Sequence, residues 1–104
     1  MTIQINTDKT LTGEKRSGDF FTAQIAEALQ RFESHITRIE VHLKDENGKK
    51  DGYSDISCLL EARLEGRQPI AVTNQADTTD LAVTGAIDKI KNAIETIVGR
   101  IQKH

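Results

Sequence analysis

The sequence predicts an α+β two-layer sandwich of order β-α-β-β-β-α, with two helices on one face of a four-stranded mixed sheet. Two observations predict the layers. Apolar residues recur at helical steps in two stretches, Phe21 to Ile36 and Val83 to Ile101, and each stripe must be buried against something. Between them, apolar and polar residues alternate with a period of two around Ile39, Ile56 and Ile70, as in strands with one face on a core and one in water. Two one-sided helices and a one-sided sheet bury all three apolar surfaces when stacked as two layers.

The elements follow in order. Ile3 and Ile5 alternate with Gln4 and Asn6, a short first strand. Residues 7–18 are polar and glycine-punctuated, a loop leading to a helix that Ser17 or Asp19 can cap. Phe21, Ile25, Leu29, Phe32 and Ile36 then step by four, four, three and four, which predicts one amphipathic helix of about five turns. Ile39, Val41 and Leu43 alternate with Arg38, Glu40, His42 and Lys44 in a half-buried strand. Residues 45–54 form an exposed hairpin loop with Asn47-Gly48 as its tight turn.

In the third strand Ile56, Cys58, Leu60, Ala62 and Leu64 point one way, with Ser57, Leu59, Glu61, Arg63 and Glu65 opposite. Gly66-Arg67 turns the chain into a fourth strand around Ile70 and Val72. Pro69 cannot donate to a ladder, so it marks an edge strand or a strand's first residue. Residues 77–104 read as one long helix, capped by Asp77, with Asp80 near the positive end of the dipole. Val83, Ile87, Ile90, Ile94, Ile97 and Ile101 form its stripe; Gly85 and Gly99 inside it suggest close packing. A helix between the first two strands makes them parallel, and the hairpins make the rest antiparallel.

At 104 residues the chain is read as a single domain, 1–104, able to bury roughly two-thirds of its unfolded surface. It is 37% hydrophobic and 29% charged, the balance of a globular protein rather than a disordered one. No apolar run approaches the ~20 residues that span a bilayer, and the N-terminus lacks a signal pattern, so a cytoplasmic location without membrane partners is expected. The lone Cys58 excludes an internal disulfide; its inward register predicts a buried structural thiol. The net charge of −2 and 4% aromatic content give no overall electrostatic or stacking case for nucleic acid, so any anion site must come from local segregation of bases.

Candidate bases lie in three places. Lys89, Lys91, Arg100 and Lys103 decorate the polar side of the last helix. Of these, Lys89, Arg100 and Lys103 share a flank with Asn92. They would serve either as phosphate contacts or as a soluble face that complements the helix dipole. Arg38, His42, Lys44 and Arg63 lie on the exposed sheet face among Glu40, Glu61 and Glu65, where cross-strand ion pairs explain them without any ligand. Lys49 and Lys50 sit at the hairpin tip. His42 beside Glu40 and Glu61 is the one cluster suggestive of acid–base chemistry, but an open face neither shifts a pKa nor excludes water, so no catalytic residue is assigned. His35, His42 and His104 lack metal-ligand spacing, and no phosphate-cradling glycine loop or nucleophile elbow occurs; no metal and no cofactor is expected.

The segment Ile36-Thr-Arg-Ile-Glu-Val-His-Leu-Lys44 after an amphipathic helix resembles the ribosome hibernation-promoting factor family, the small ribosome-associated translation inhibitors of bacteria. So do a third strand ending in Glu65-Gly66, a fourth strand running into Asp77, and Ala86-Ile-Asp-Lys-Ile90 in the last helix. The similarity covers essentially the whole chain. It implies a fold related to double-stranded RNA-binding domains and a non-enzymatic factor on the small ribosomal subunit, whose partner is ribosomal RNA and whose action is occlusion of the tRNA and mRNA sites. It also implies that Lys89, Lys91, Arg100, Lys103, Arg38 and Lys44 contact RNA. The family's last helix is denser in bases than this one, which carries Asn92, Glu95 and Thr96 after Lys89, and with Lys103-His104 last in the sequence no basic tail or dimerisation domain is expected. A protein–protein interaction module of the same fold, without RNA binding and dimeric through its sheet edge or open face, is the alternative; an exposed Leu59 and the edge strand around Pro69 to Thr73 favour it.

Overall fold

The computed structural model describes residues 1–7, 18–46 and 55–102. In chain order the elements are β1 (Thr2–Thr7), α1 (Gly18–Ala28), a short 3-10 helix (Gln30–His35), β2 (Ile36–Asp45), β3 (Ile56–Leu64), β4 (Ile70–Ala76) and α2 (Thr79–Gln102). The strands form one sheet in the order β1-β2-β3-β4; β1 runs parallel to β2, and the other two pairings are antiparallel. The mixed sheet expected from the crossover is therefore the one observed. The Asn47-Gly48 turn, Lys49, Lys50, Ser17, Lys103 and His104 lie outside the described residues.

All five inward positions of β3, from Ile56 to Leu64, are buried. They meet Ile39, Val41 and Leu43 of β2, Phe21 and Ile25 of α1, Leu29 and Phe32 after it, and Val83, Ile87, Ile90 and Ile94 of α2 in one core. Cys58 is fully buried among them, and burial pushes its thiol from about 9 up to about 12.

The first helical stretch departs from expectation. The α-helix closes at Ala28, and Gln30–His35 winds as a 3-10 helix, with Phe32 N–H donating to the Leu29 carbonyl at 2.9 Å. Residues three apart eclipse in a 3-10 helix, so the step from Leu29 to Phe32 fits either winding and the periodicity could not separate them. Ile36, the last member of that stripe, is the first residue of β2. It faces the core because the β2–β3 register shifts between Ile36 and Arg38. This bulge spends Thr37 on the outer side, and the Thr37 hydroxyl donates to the Arg63 carbonyl at 3.1 Å. Without that extra residue, Ile36 would share the open face with Arg38.

At the other end Asp77 is not the cap of α2. The Thr78 hydroxyl accepts the Leu81 N–H at 3.2 Å, placing the cap one residue later. Thr78, like Asp77, can offer an oxygen to the first turn, and only the backbone path decides between them. Along α2 the buried stripe passes from Ile94 to Val98, leaving Ile97 half-buried. The β3–β4 turn is as predicted: Arg67 N–H donates to Leu64 O at 3.2 Å, and Gly66 takes a φ of 72° that a side chain would resist. Pro69 immediately precedes β4, an edge strand.

Candidate nucleic-acid interface

Five of the six bases singled out in the sequence lie in two described elements, β2 and α2. Arg38 and Lys44 lie on the open sheet face, away from the helices; Lys89, Lys91 and Arg100 lie in α2, and Lys103 is beyond the described residues.

On the open face the register sets Arg38 opposite Arg63 and Glu40 opposite Glu61, two like-charge pairs that would repel. The side chains resolve this by reaching along and across the strands. Arg38 Nε lies 3.3 Å from Glu40 Oε2, and Arg63 Nη2 lies 4.0 Å from the same oxygen. Arg63 Nε is 3.7 Å from Glu61 Oε1, and His42 Nε2 is 3.8 Å from Glu40 Oε1. Arg38 also donates to the Gln4 side-chain oxygen on β1. Glu40 is the hub and the most enclosed member, its side chain 21% exposed. Two arginines are thus matched by two glutamates. Lys44 is exposed near the far end of β2, opposite Ser57.

The helix layer divides along α2. Lys91 and Glu95 face α1 and the 3-10 helix. Glu95 takes an ion pair from Arg31 at 2.5 Å, Lys91 is half-buried beside Glu27 and Gln30, and Gln24 donates to the Thr84 hydroxyl at 3.2 Å. The Arg31 guanidinium also lies 4.7 Å from the centre of the Phe32 ring. Lys89 is on the other flank, above β4, and its ammonium donates to the Thr73 main-chain carbonyl at 2.7 Å. Lys89 and Lys91 are two residues apart, roughly 200° around a helix, and so cannot address one phosphate together. The Lys89 flank is held against the sheet by Asn74, whose side-chain amide donates to the Leu81 and Ala82 carbonyls at 3.3 and 3.2 Å. Gly85 is where that amide sits, so the close packing expected of Gly85 is real; at Gly99 nothing among the described residues lies within 4 Å of an added methyl.

Arg31, Glu95 and Asn74 are the participants that sequence reasoning did not bring together. Arg31 and Glu95 are 64 positions apart and no local pattern links them. Asn74 does carry a signal: it is a polar residue at an inward position of an alternating strand. Among the described residues, no three of His, Cys, Asp or Glu converge as metal ligands would, and no helix is long and apolar enough to cross a membrane.

The sigma 54 modulation protein / S30EA ribosomal protein family matches residues 17–102, from the start of α1 to the end of α2. The chain belongs to this family. Membership makes it a ribosome-associated factor and agrees with the resemblance to hibernation-promoting factors read from the sequence. Two solved structures share the fold. One is a ribosomal subunit interface protein from Coxiella burnetii, with a TM-score of 0.68 and 14% identity over 95% of this chain and 99% of that one. The other is the N-terminal domain of Protein Y from Thermus thermophilus, with a TM-score of 0.66 and 12% identity over 93% and 99%. At such identities the likeness is one of fold alone. No curated protein sequence matches the chain.

Proposed function

We propose that this protein is a non-enzymatic, cytoplasmic hibernation factor that binds the small ribosomal subunit and occludes the tRNA and mRNA sites, with Lys89, Lys91 and Arg100 of the last helix, together with Lys103, as the principal contacts to ribosomal RNA and Arg38 and Lys44 as secondary ones. The observation that carries this reading is the family match, which runs from residue 17 to residue 102. The fold supports it physically. A rigid α2, seated on β3 and β4 through its isoleucine stripe, holds bases at fixed positions, and phosphate contacts do the positioning in RNA recognition. Occlusion requires stiffness and shape and no reacting group. Arg38 is the weakest of the six, because Glu40 already engages it.

Sucrose-gradient sedimentation of lysate from starved cells tests the reading. The protein should travel with 30S subunits or larger particles at low salt. If four bases neutralise phosphates, a fourfold rise in salt should weaken binding roughly 50- to 150-fold by counterion release. Charge reversal at Arg100 and Lys103, or at those two with Lys89, should release the protein, whereas reversal at Lys49 and Lys50 should matter less. Absence from every ribosomal fraction at low salt refutes ribosome binding.

The mutual pairing of Arg38, Arg63, Glu40 and Glu61 favours a second reading, a dimeric protein-interaction module that no longer binds RNA. It predicts that the protein sediments apart from ribosomes at any salt concentration.

A further inference from the structure

We propose that Lys89 guards the free edge of β4 against a second copy of this chain. Among the described residues β4 has β3 on one side only, so its other side presents main-chain groups to which a further strand could add. Its seven residues, from Ile70 to Ala76, carry no charge. Edge strands commonly protect themselves with a charged side chain of their own or an internal proline; here Pro69 stops short of the strand and the charge arrives from α2. The Lys89 ammonium is bonded to the carbonyl of Thr73, the middle residue of β4.

A second copy is the occupant that the edge fits. Antiparallel pairing of β4 with itself about Thr73 would set Ile70 opposite Ala76, Ala71 opposite Gln75 and Val72 opposite Asn74, with no like charges opposed within the strands. It would join two four-stranded sheets into one. The obstacle is at the axis, where each copy holds an ammonium on its own Thr73. Two like charges would meet there, both stripped of water. The guard is a matter of charge more than bulk, and it assigns Lys89 a role that does not depend on ribosome binding.

Analytical ultracentrifugation of the purified protein tests this without ribosomes. Wild type should sediment as a single chain of 11.6 kDa. Lys89→Met, which keeps the stem and removes the charge, and Lys89→Ala should both associate, lowering the apparent dissociation constant by about tenfold or more. Lys89→Arg and Lys89→Glu, which keep a charge at the axis, should remain single chains. To locate the contact, Thr73→Cys is added to Lys89→Met. Residues paired across such an axis have Cα atoms about 4.5–5.5 Å apart, a span that a disulfide bridges, so mild oxidation should trap a covalent dimer. Cys58 is buried and does not compete. Native circular dichroism with single-chain sedimentation of both Lys89→Met and Lys89→Ala overturns the proposal. So does a wild-type dimer, or a Lys89→Met dimer that Thr73→Cys fails to cross-link.

Discussion

Replacing either of the two interior glycines of α2 by alanine should have opposite effects, and the difference measures how the helix is held on the sheet. Gly→Ala in a helix interior gains about 1 kcal/mol from propensity alone. At Gly99 nothing among the described residues stands within 4 Å of the added methyl, so Gly99→Ala should stabilise by up to that amount, somewhat less for its nearness to the helix end. At Gly85 the methyl would land on the side-chain amide of Asn74, which donates to the Leu81 and Ala82 carbonyls. Displacing the amide forfeits two hydrogen bonds of about 1 kcal/mol each. Set against the propensity gain, Gly85→Ala should destabilise by about 1 kcal/mol. Asn74→Ala alone should cost about 2 kcal/mol, and adding Gly85→Ala to it should restore about 1, because the obstruction is gone. The double-mutant cycle therefore closes on a coupling of about 2 kcal/mol. Urea unfolding followed by circular dichroism reads all four variants. A Gly85→Ala protein as stable as Gly99→Ala, or an additive cycle, would show that Asn74 does not hold α2 in place.

Two further outcomes follow from the core and the helix layer. The Cys58 thiol, pushed from about 9 up to about 12 by burial, stays protonated in the folded chain while the unfolded chain ionises first. Its contribution is complete below pH 9 and is lost as pH rises from about 9 toward 12, at about 1.4 kcal/mol per unit. The stability gap between wild type and Cys58→Ala should therefore shrink at that rate between pH 9 and pH 11, and a constant gap contradicts the burial argument. The Arg31–Glu95 pair is short but its side chains are 61% and 48% exposed. Screening limits its worth to about 0.2–1 kcal/mol, so an Arg31→Ala, Glu95→Ala cycle should give a small coupling that fades in molar salt. A coupling above that range would show the pair to be structurally dominant.

Much of the fold was legible because burial acts on each element separately. The alternation of β3 and the isoleucine stripe of α2 each state locally which face must leave water, and two layers are the arrangement that satisfies them together. Boundaries were less legible where two windings share a spacing. The step from Leu29 to Phe32 suits an α-helix and a 3-10 helix alike, so the first helix was read through to Ile36 and its true end at Ala28 was hidden. Asp77 and Thr78 are both good caps, and the backbone chose the second.

The candidate site was legible as residue types but not as a surface. The fold class, the inward faces of β2 and β3, an edge strand starting next to Pro69 and a resemblance that the family match shares were all readable from local pattern. Only the tertiary structure decided what each base faces. It joined Arg31 to Glu95 and Lys89 to Thr73. The physical reason is range. Hydrophobic periodicity is imposed within an element, whereas a charge on an exposed face answers to whatever side chain or carbonyl the packing of distant segments brings within a few ångströms.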